Sequence, residues 1–89
     1  MKESQIQKKI KERLERNGYW VTKLIQTSTN GIPDIMAIKN GTVKFFEVKA
    51  EGGQPSELQI FRIEQLKKLG VYARVVYSVE DLDVFCPKK

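Results

Sequence analysis

Apolar residues recur along the chain with two different periods, and the change of period separates helices from strands. Ile6, Ile10 and Leu14 lie four residues apart among charged side chains, which predicts an amphipathic helix over residues 4–17. Glycine often follows a helix because it adopts the left-handed conformation easily, and Gly18 stands at that place. We expect the narrow apolar stripe to pack on a sheet.

Three stretches with the composition of strands follow this helix. Residues 19–25 are rich in β-branched and aromatic side chains, and residues 34–38 and 42–49 are short apolar runs. Asn40-Gly41 separates the last two runs, and this dipeptide is typical of a tight hairpin turn. The pattern therefore predicts one strand followed by a β-hairpin.

A second helix is predicted from Ser56 to Gly70, because Ser56 with Gln59 three residues later resembles a capping box. Four apolar residues mark one face of this helix: Leu58, Phe61, Leu66 and Leu69. Ile60 and Ile63 widen the apolar surface. The wider surface is either core against a twisted sheet or a patch for a second subunit, and we favour the core.

The last third of the chain completes a mixed α/β fold. Residues 71–77 predict another strand, residues 78–82 a capped helical turn, and residues 83–85 a short edge strand. The order helix, three strands, helix, strand predicts one sheet with helices against it. With 89 residues and no linker or repeat, residues 1–89 are expected to form a single domain.

The composition says more about how a metal ion could be bound than about which partner the protein binds. The net charge of +5 favours a polyanion only weakly, so the helix face with Lys8, Lys9 and Arg16 is either solvated or in contact with phosphate. No apolar run matches a membrane span or a signal peptide, so we expect no membrane contact and an intracellular, cytoplasmic protein. With no histidine and a single cysteine, Cys86, a metal would be bound by oxygen atoms, which favours Mg²⁺ or Mn²⁺.

The hairpin carries the candidate chemistry at the end farthest from its turn. Side chains alternate along a strand, so Glu47 and Lys49 share a face, and Asp34 enters the preceding strand after Pro33. Two carboxylates on adjacent strands repel each other unless a cation lies between them, and a divalent ion meets that need. A bound ion of this kind can activate water, and the lysine can offset negative charge on a phosphate.

The alternative is purely structural. Asp34 would then close a turn, and Glu47 with Lys49 would form an exposed ion pair worth at most about 1 kcal/mol. The turn sequence, the hairpin geometry and the apolar neighbours of Glu47 favour the catalytic interpretation.

The same residues resemble a known family. Asp34 followed by Glu47-Val48-Lys49 is similar to the PD-(D/E)xK nuclease superfamily, and the Gly31 to Asp34 turn with Gln59 resembles its virus-type replication-repair nuclease (VRR-NUC) domain. The resemblance covers nearly the whole chain. It implies a restriction-endonuclease-like αβββαβ core with a central mixed sheet flanked by helices.

The resemblance also implies roles for single residues. Asp34, Glu47 and the backbone carbonyl of Val48 would be metal ligands, and Lys49 would be the catalytic lysine. Glu3 would complete the outer metal sphere or a second metal site, or it is a helix-start carboxylate favoured by the helix dipole. Gln59 would reach the reacting water or a phosphate, although the capping box uses the same side chain.

The loop before the aspartate offers weaker candidates. Gln26, Thr29 and Asn30 either form an ordinary connection or contact a phosphodiester.

The expected function is a small phage or bacterial endonuclease that uses Mg²⁺ or Mn²⁺ to hydrolyse branched DNA. A homodimeric four-way (Holliday) junction resolvase is the sharpest candidate, because symmetric cutting needs two active sites. The alternative is a nucleic-acid-binding module that keeps the nuclease fold without activity.

Overall fold

The computed structural model describes residues 1–88 and contains the predicted succession of elements. They are α1 (Glu3–Arg16), β1 (Trp20–Lys23), β2 (Ile35–Lys39), β3 (Thr42–Val48), α2 (Glu57–Lys68), β4 (Tyr72–Val76) and a 3₁₀ turn (Val79–Leu82). The predicted mixed α/β architecture is therefore confirmed. None of the helices formed by residues 1–88 has the length and apolar character that a membrane span requires.

The four strands form one sheet in the order β1-β2-β3-β4. Strands β1, β2 and β3 are successively antiparallel, and β4 is parallel to β3, so α2 is the crossover between them. The hairpin turn forms as the sequence predicts, because Asn40 (φ 51°) and Gly41 (φ 77°) both take the left-handed conformation of a type I′ turn.

Helix α1 covers one face of the sheet with the predicted stripe. Ile6, Ile10 and Leu14 are buried there. They pack with core residues contributed by all four strands: Val21, Ile35, Ala37, Phe46, Val48 and Val76. This face holds the main core.

The predicted burial of the apolar face of helix α2 is wrong for most of its residues. Only Ile63 is fully buried, together with Ala73 of β4, because α2 packs mainly on that edge strand. Four of the apolar residues expected in the core remain exposed instead: Leu58, Ile60, Phe61 and Leu69. The stripe that faces the sheet runs through Gln59, Ile63 and Leu66.

The predicted edge strand at residues 83–85 is wrong, since this segment forms turns. Arg13 holds it against α1: its buried guanidinium donates from Nη1 to Asp83 Oδ1 (2.7 Å) and to the carbonyl of Cys86 (3.1 Å). The ring of Phe85 stacks on Phe46 and meets Tyr72 edge-on. The segment closes the core instead of extending the sheet.

Replacing Arg13 by Ala should lower the free energy of unfolding by about 2–3 kcal/mol, because a buried carbonyl and an ion pair lose their charged donor. Urea unfolding measures this loss. Lys11→Ala is the matched control, since it removes only the exposed pair with Glu15 and should cost less than about 0.5 kcal/mol. Equal losses in the two variants would contradict the assigned role of Arg13.

Candidate active site

The register of the hairpin places the two candidate carboxylates opposite each other. Ile35 pairs with Phe46, and continuing this register by one position sets Asp34 across from Glu47. Both residues lie at the end of the hairpin away from its turn, as the sequence predicts. Lys49 follows two positions after Glu47, and its backbone N–H donates to the Val76 carbonyl (3.0 Å) of β4.

Asp34 is fixed by bonds to both neighbouring strands. Its Oδ2 accepts a hydrogen bond from the Val48 N–H (2.8 Å), and its backbone carbonyl accepts one from the Leu24 N–H (2.8 Å). Pro33, which is buried, restricts the backbone just before it. The Asp34 carboxylate is therefore held in one orientation, toward the end of β3.

Glu47 is an unusual side chain, because its carboxylate is only 1% exposed. It lies between the distant ammonium of Lys49 and the carboxylate of Asp34. Its Oε2 accepts from Gln59 Nε2 (3.0 Å) and lies 3.7 Å from Lys49 Nζ. Its Oε1 is buried and accepts no hydrogen bond within residues 1–88. Such a buried acceptor is costly unless another group binds it.

Burial raises the pKa of Glu47 from 4.5 to about 7, and the negative charge of Asp34 acts in the same direction. The ammonium of Lys49 lowers this pKa, but less than burial and Asp34 raise it. Above about pH 7 the site therefore holds two carboxylates beside a single lysine.

This donor set fits a hard divalent cation. Asp34 and Glu47 supply carboxylate oxygens, and the open Oε1 of Glu47 is available to a ligand. The register would place Pro33 opposite Val48, and proline has no N–H to donate to the Val48 carbonyl. Within residues 1–88 no three His, Cys, Asp or Glu side chains cluster to hold a metal, so this carbonyl would be the third oxygen.

Gln59 forms the predicted capping box and also contacts Glu47, while its role toward water or phosphate stays a prediction. Its Oε1 accepts from the Ser56 N–H (2.8 Å) and its backbone N–H donates to Ser56 Oγ (3.1 Å), which completes the predicted capping box. Its Nε2 is left to donate to Glu47. One side chain therefore joins the start of α2 to the candidate site.

Glu3 lies where the helix-start interpretation places it, and its role toward a metal stays a prediction. It is the first residue of α1, where the helix dipole favours a carboxylate. Its Oε2 accepts from the Ala50 N–H (3.4 Å), one residue after Lys49. The structure thus brings Glu3 to the rim of the site, and within residues 1–88 its carboxylate bonds to the Ala50 N–H and not to Asp34 or Glu47.

The three loop candidates lie outside this cluster. Gln26, Thr29 and Asn30 are exposed between β1 and β2, and the hydrogen bonds of the described residues do not join them to the carboxylates. Arg62 of α2 donates from Nε to the Asn30 carbonyl (3.1 Å) and so supports the loop. Sequence reasoning missed this contact because nothing in the local pattern links residues 32 positions apart.

A four-stranded mixed sheet with an aspartate before one hairpin strand and Glu-x-Lys at the end of the next defines a nuclease of the PD-(D/E)xK class. The model of the archaeal Holliday junction resolvase (Hjc) family matches residues 1–84. The chain belongs to this family, and it is a nuclease that acts on DNA.

Two relatives agree with this assignment. A solved structure described as a VRR_NUC domain superposes with a TM-score of 0.82 at 34% identity, covering 92% of this chain and 90% of its own. The protein named "Putative nuclease p44", from Acyrthosiphon pisum secondary endosymbiont phage 1, is 28% identical over 88 residues, which is 98% of this chain and 94% of that protein. The resemblance drawn from the sequence is confirmed.

The metal-free protein should lose stability as pH rises. Glu47 keeps its proton to about pH 7 when folded but only to about 4.5 when unfolded, so the folded state binds more protons between these values. The free energy of unfolding should therefore fall by about 1–3 kcal/mol from pH 4.5 to 7 and level off above.

Urea unfolding with a chelator present measures this profile, and Glu47→Gln is the control. The amide cannot ionise, so the variant should show a flatter profile and exceed the wild type in stability at pH 8. A wild-type profile parallel to that of Glu47→Gln would contradict the raised pKa.

Proposed function

We propose that the protein is a Mg²⁺- or Mn²⁺-dependent endonuclease that hydrolyses phosphodiesters in branched DNA, with the four-way junction as its principal substrate. The observation that carries this proposal is the buried Glu47 Oε1, which accepts no hydrogen bond from residues 1–88 and lies on the strand opposite Asp34. A purely structural carboxylate would be expected to have its oxygens satisfied or exposed.

Asp34, Glu47 and the Val48 carbonyl would hold the cation, which when bound lowers the pKa of water and neutralises phosphate charge. Lys49 would act directly on the reacting groups. Its ammonium lies 3.7 Å from Glu47 and is only partly exposed, so it can donate to the attacking water or to a phosphate oxygen. Its fixed positive charge favours the transition state, in which phosphate charge increases.

Gln59 and Glu3 would act around this centre. Gln59 holds Glu47 through Nε2, so it orients the carboxylate while its own position is set by Ser56. Glu3 lies by Ala50 at the rim and adds negative charge there, which suits an outer cation shell.

Recognition of DNA shape fits the fold better than recognition of base sequence. In residues 1–88 both helices pack on the sheet, so neither projects as a recognition helix for the major groove. Contacts to phosphates position a protein without reading bases. Lys8, Lys9 and Arg16 are exposed on α1 and are candidates for such contacts, as are Gln26, Thr29 and Asn30 in the loop before Asp34.

A cleavage assay with labelled DNA tests the reaction in the presence of Mg²⁺, Mn²⁺ or a chelator. The substrates are four-way junction, flap, fork, single-stranded and linear duplex DNA. The wild type should cut the branched DNA only with metal, and Asp34→Asn, Glu47→Gln and Lys49→Ala should each cut at least about 100-fold more slowly. Glu12→Gln and Lys67→Ala, exposed charge changes away from the site, should cut normally.

Binding measured in parallel separates the two candidate functions. Wild-type protein that binds every DNA in a salt-dependent way but cuts none would favour the inactive binding module and overturn the nuclease mechanism.

The active form would be a homodimer. Symmetric cutting of a junction needs two sites, and exposed apolar residues on α2 offer a surface for a second copy: Leu58, Ile60, Phe61 and Leu69. Trp20 of β1 adds to this surface. Its side chain is 60% exposed and lies on the face of the sheet opposite to that of the buried Val21. Ile63, expected beside Ile60, belongs to the monomer's own core.

Phe61→Asp should convert the dimer to a monomer, because it places a charge in the apolar contact. Sedimentation at micromolar concentration, with and without junction DNA, measures this change. Val84→Asp is the matched control, since Val84 is equally apolar and 83% exposed but lies in the C-terminal turns. A wild-type monomer that stays monomeric on junction DNA would overturn the dimer and leave the nuclease mechanism standing.

A further inference from the structure

A cavity of about 200 Å³ lies between the start of α1 and the turns that follow β3 and β4. Its walls combine apolar, aromatic and charged side chains, chiefly Ile6, Lys9, Glu51, Tyr77, Val79 and Glu80. The volume corresponds to about seven waters at roughly 30 Å³ each, which is too small for a drug-sized ligand and suits one planar ring.

The cavity shares one end of the molecule with the candidate active site. Glu51 follows two residues after Lys49, and Tyr77 follows Val76, whose carbonyl accepts the Lys49 N–H (3.0 Å). The cavity therefore lies beside the loop that follows Lys49.

The walls are held in place before any ligand arrives. Asp81 Oδ2 accepts from the N–H groups of Tyr77 (2.7 Å) and Ser78 (3.3 Å), which fixes the turn after β4. On the opposite side Glu3 accepts from the Ala50 N–H (3.4 Å) beside Glu51. The opening therefore has a defined shape, and its ligand need not order it.

The chemistry of the walls favours a nucleobase over a phosphate. Tyr77 offers a partly exposed ring for stacking, and Ile6 and Val79 supply an apolar lining. Glu51 and Glu80 repel an anion but can accept hydrogen bonds from the amino group of a base such as cytosine. Lys9 also lines the cavity and can meet the adjoining phosphate.

We propose that this cavity binds an unpaired base of the branched DNA near the cleavage site, with Tyr77 stacking on it. The inference rests on the proposed nuclease function and names a substrate contact beyond its catalytic centre. Bases with an exocyclic amino group would bind better than thymine, because cytosine offers an amino donor where thymine offers the O4 acceptor, which the two carboxylates repel.

Binding is tested in the Lys49→Ala background, with branched DNA that carries 2-aminopurine, cytosine or thymine as the unpaired nucleotide. Tyr77→Ala should raise the Kd about five- to tenfold and relieve the fluorescence quenching of 2-aminopurine. Tyr77→Phe, which keeps the ring, should stay within about twofold, and Val84→Ala should bind as the parent does. Cytosine should bind about fivefold better than thymine, and Glu80→Ala should remove that preference.

Unchanged affinity, quenching and base preference in Tyr77→Ala would overturn the base site. Cleavage by protein that retains Lys49 separates a failure of the base site from a failure of the nuclease proposal. If it cuts branched DNA and Tyr77→Ala cuts with the same KM, the base site is overturned and the nuclease stands. If it cuts no DNA while Tyr77 still controls quenching, the base site stands and the nuclease proposal fails.

Discussion

The hydrogen bond from the Val48 N–H to Asp34 Oδ2 (2.8 Å) is the contact on which the candidate site depends. It lies where the β2–β3 ladder ends, so a side-chain carboxylate takes the place of a backbone acceptor. This bond directs Asp34 toward Glu47, so a half-buried carboxylate lies close to a fully buried one. The fold tolerates that repulsion because strand pairing, the packing of α1 and the Gln59 amide all hold the strands in register.

Helix α2 has a second role besides its modest contribution to the core. It is the crossover between the parallel strands β3 and β4, so its first turn lies at the carboxyl end of β3. Gln59 in that turn caps the helix with one side-chain atom and holds Glu47 with another. The helix start and the candidate site are therefore one hydrogen-bonded unit.

Local patterns in the sequence were sufficient for the two helices, the four strands of the sheet, the hairpin register and the placement of Asp34 opposite Glu47. The dipeptide Asn40-Gly41 fixes the turn, and the turn fixes which residues lie opposite each other. Contacts between distant parts of the chain were not predictable in this way. The exposure of Phe61 and the turns around Phe85 depend on how little of the sheet α2 covers and on the bond from Arg13 to the Cys86 carbonyl.

The hairpin also has a consequence for the order of folding. Asp34 and Glu47 are separated by a short loop, so closing the hairpin brings them together with little loss of chain entropy. Pairing of β3 with β4 must wait for the whole of α2 between them. The two carboxylates therefore repel each other early in folding, when the hairpin has few other contacts. A counterion or proton that reduces this repulsion should increase the rate of folding.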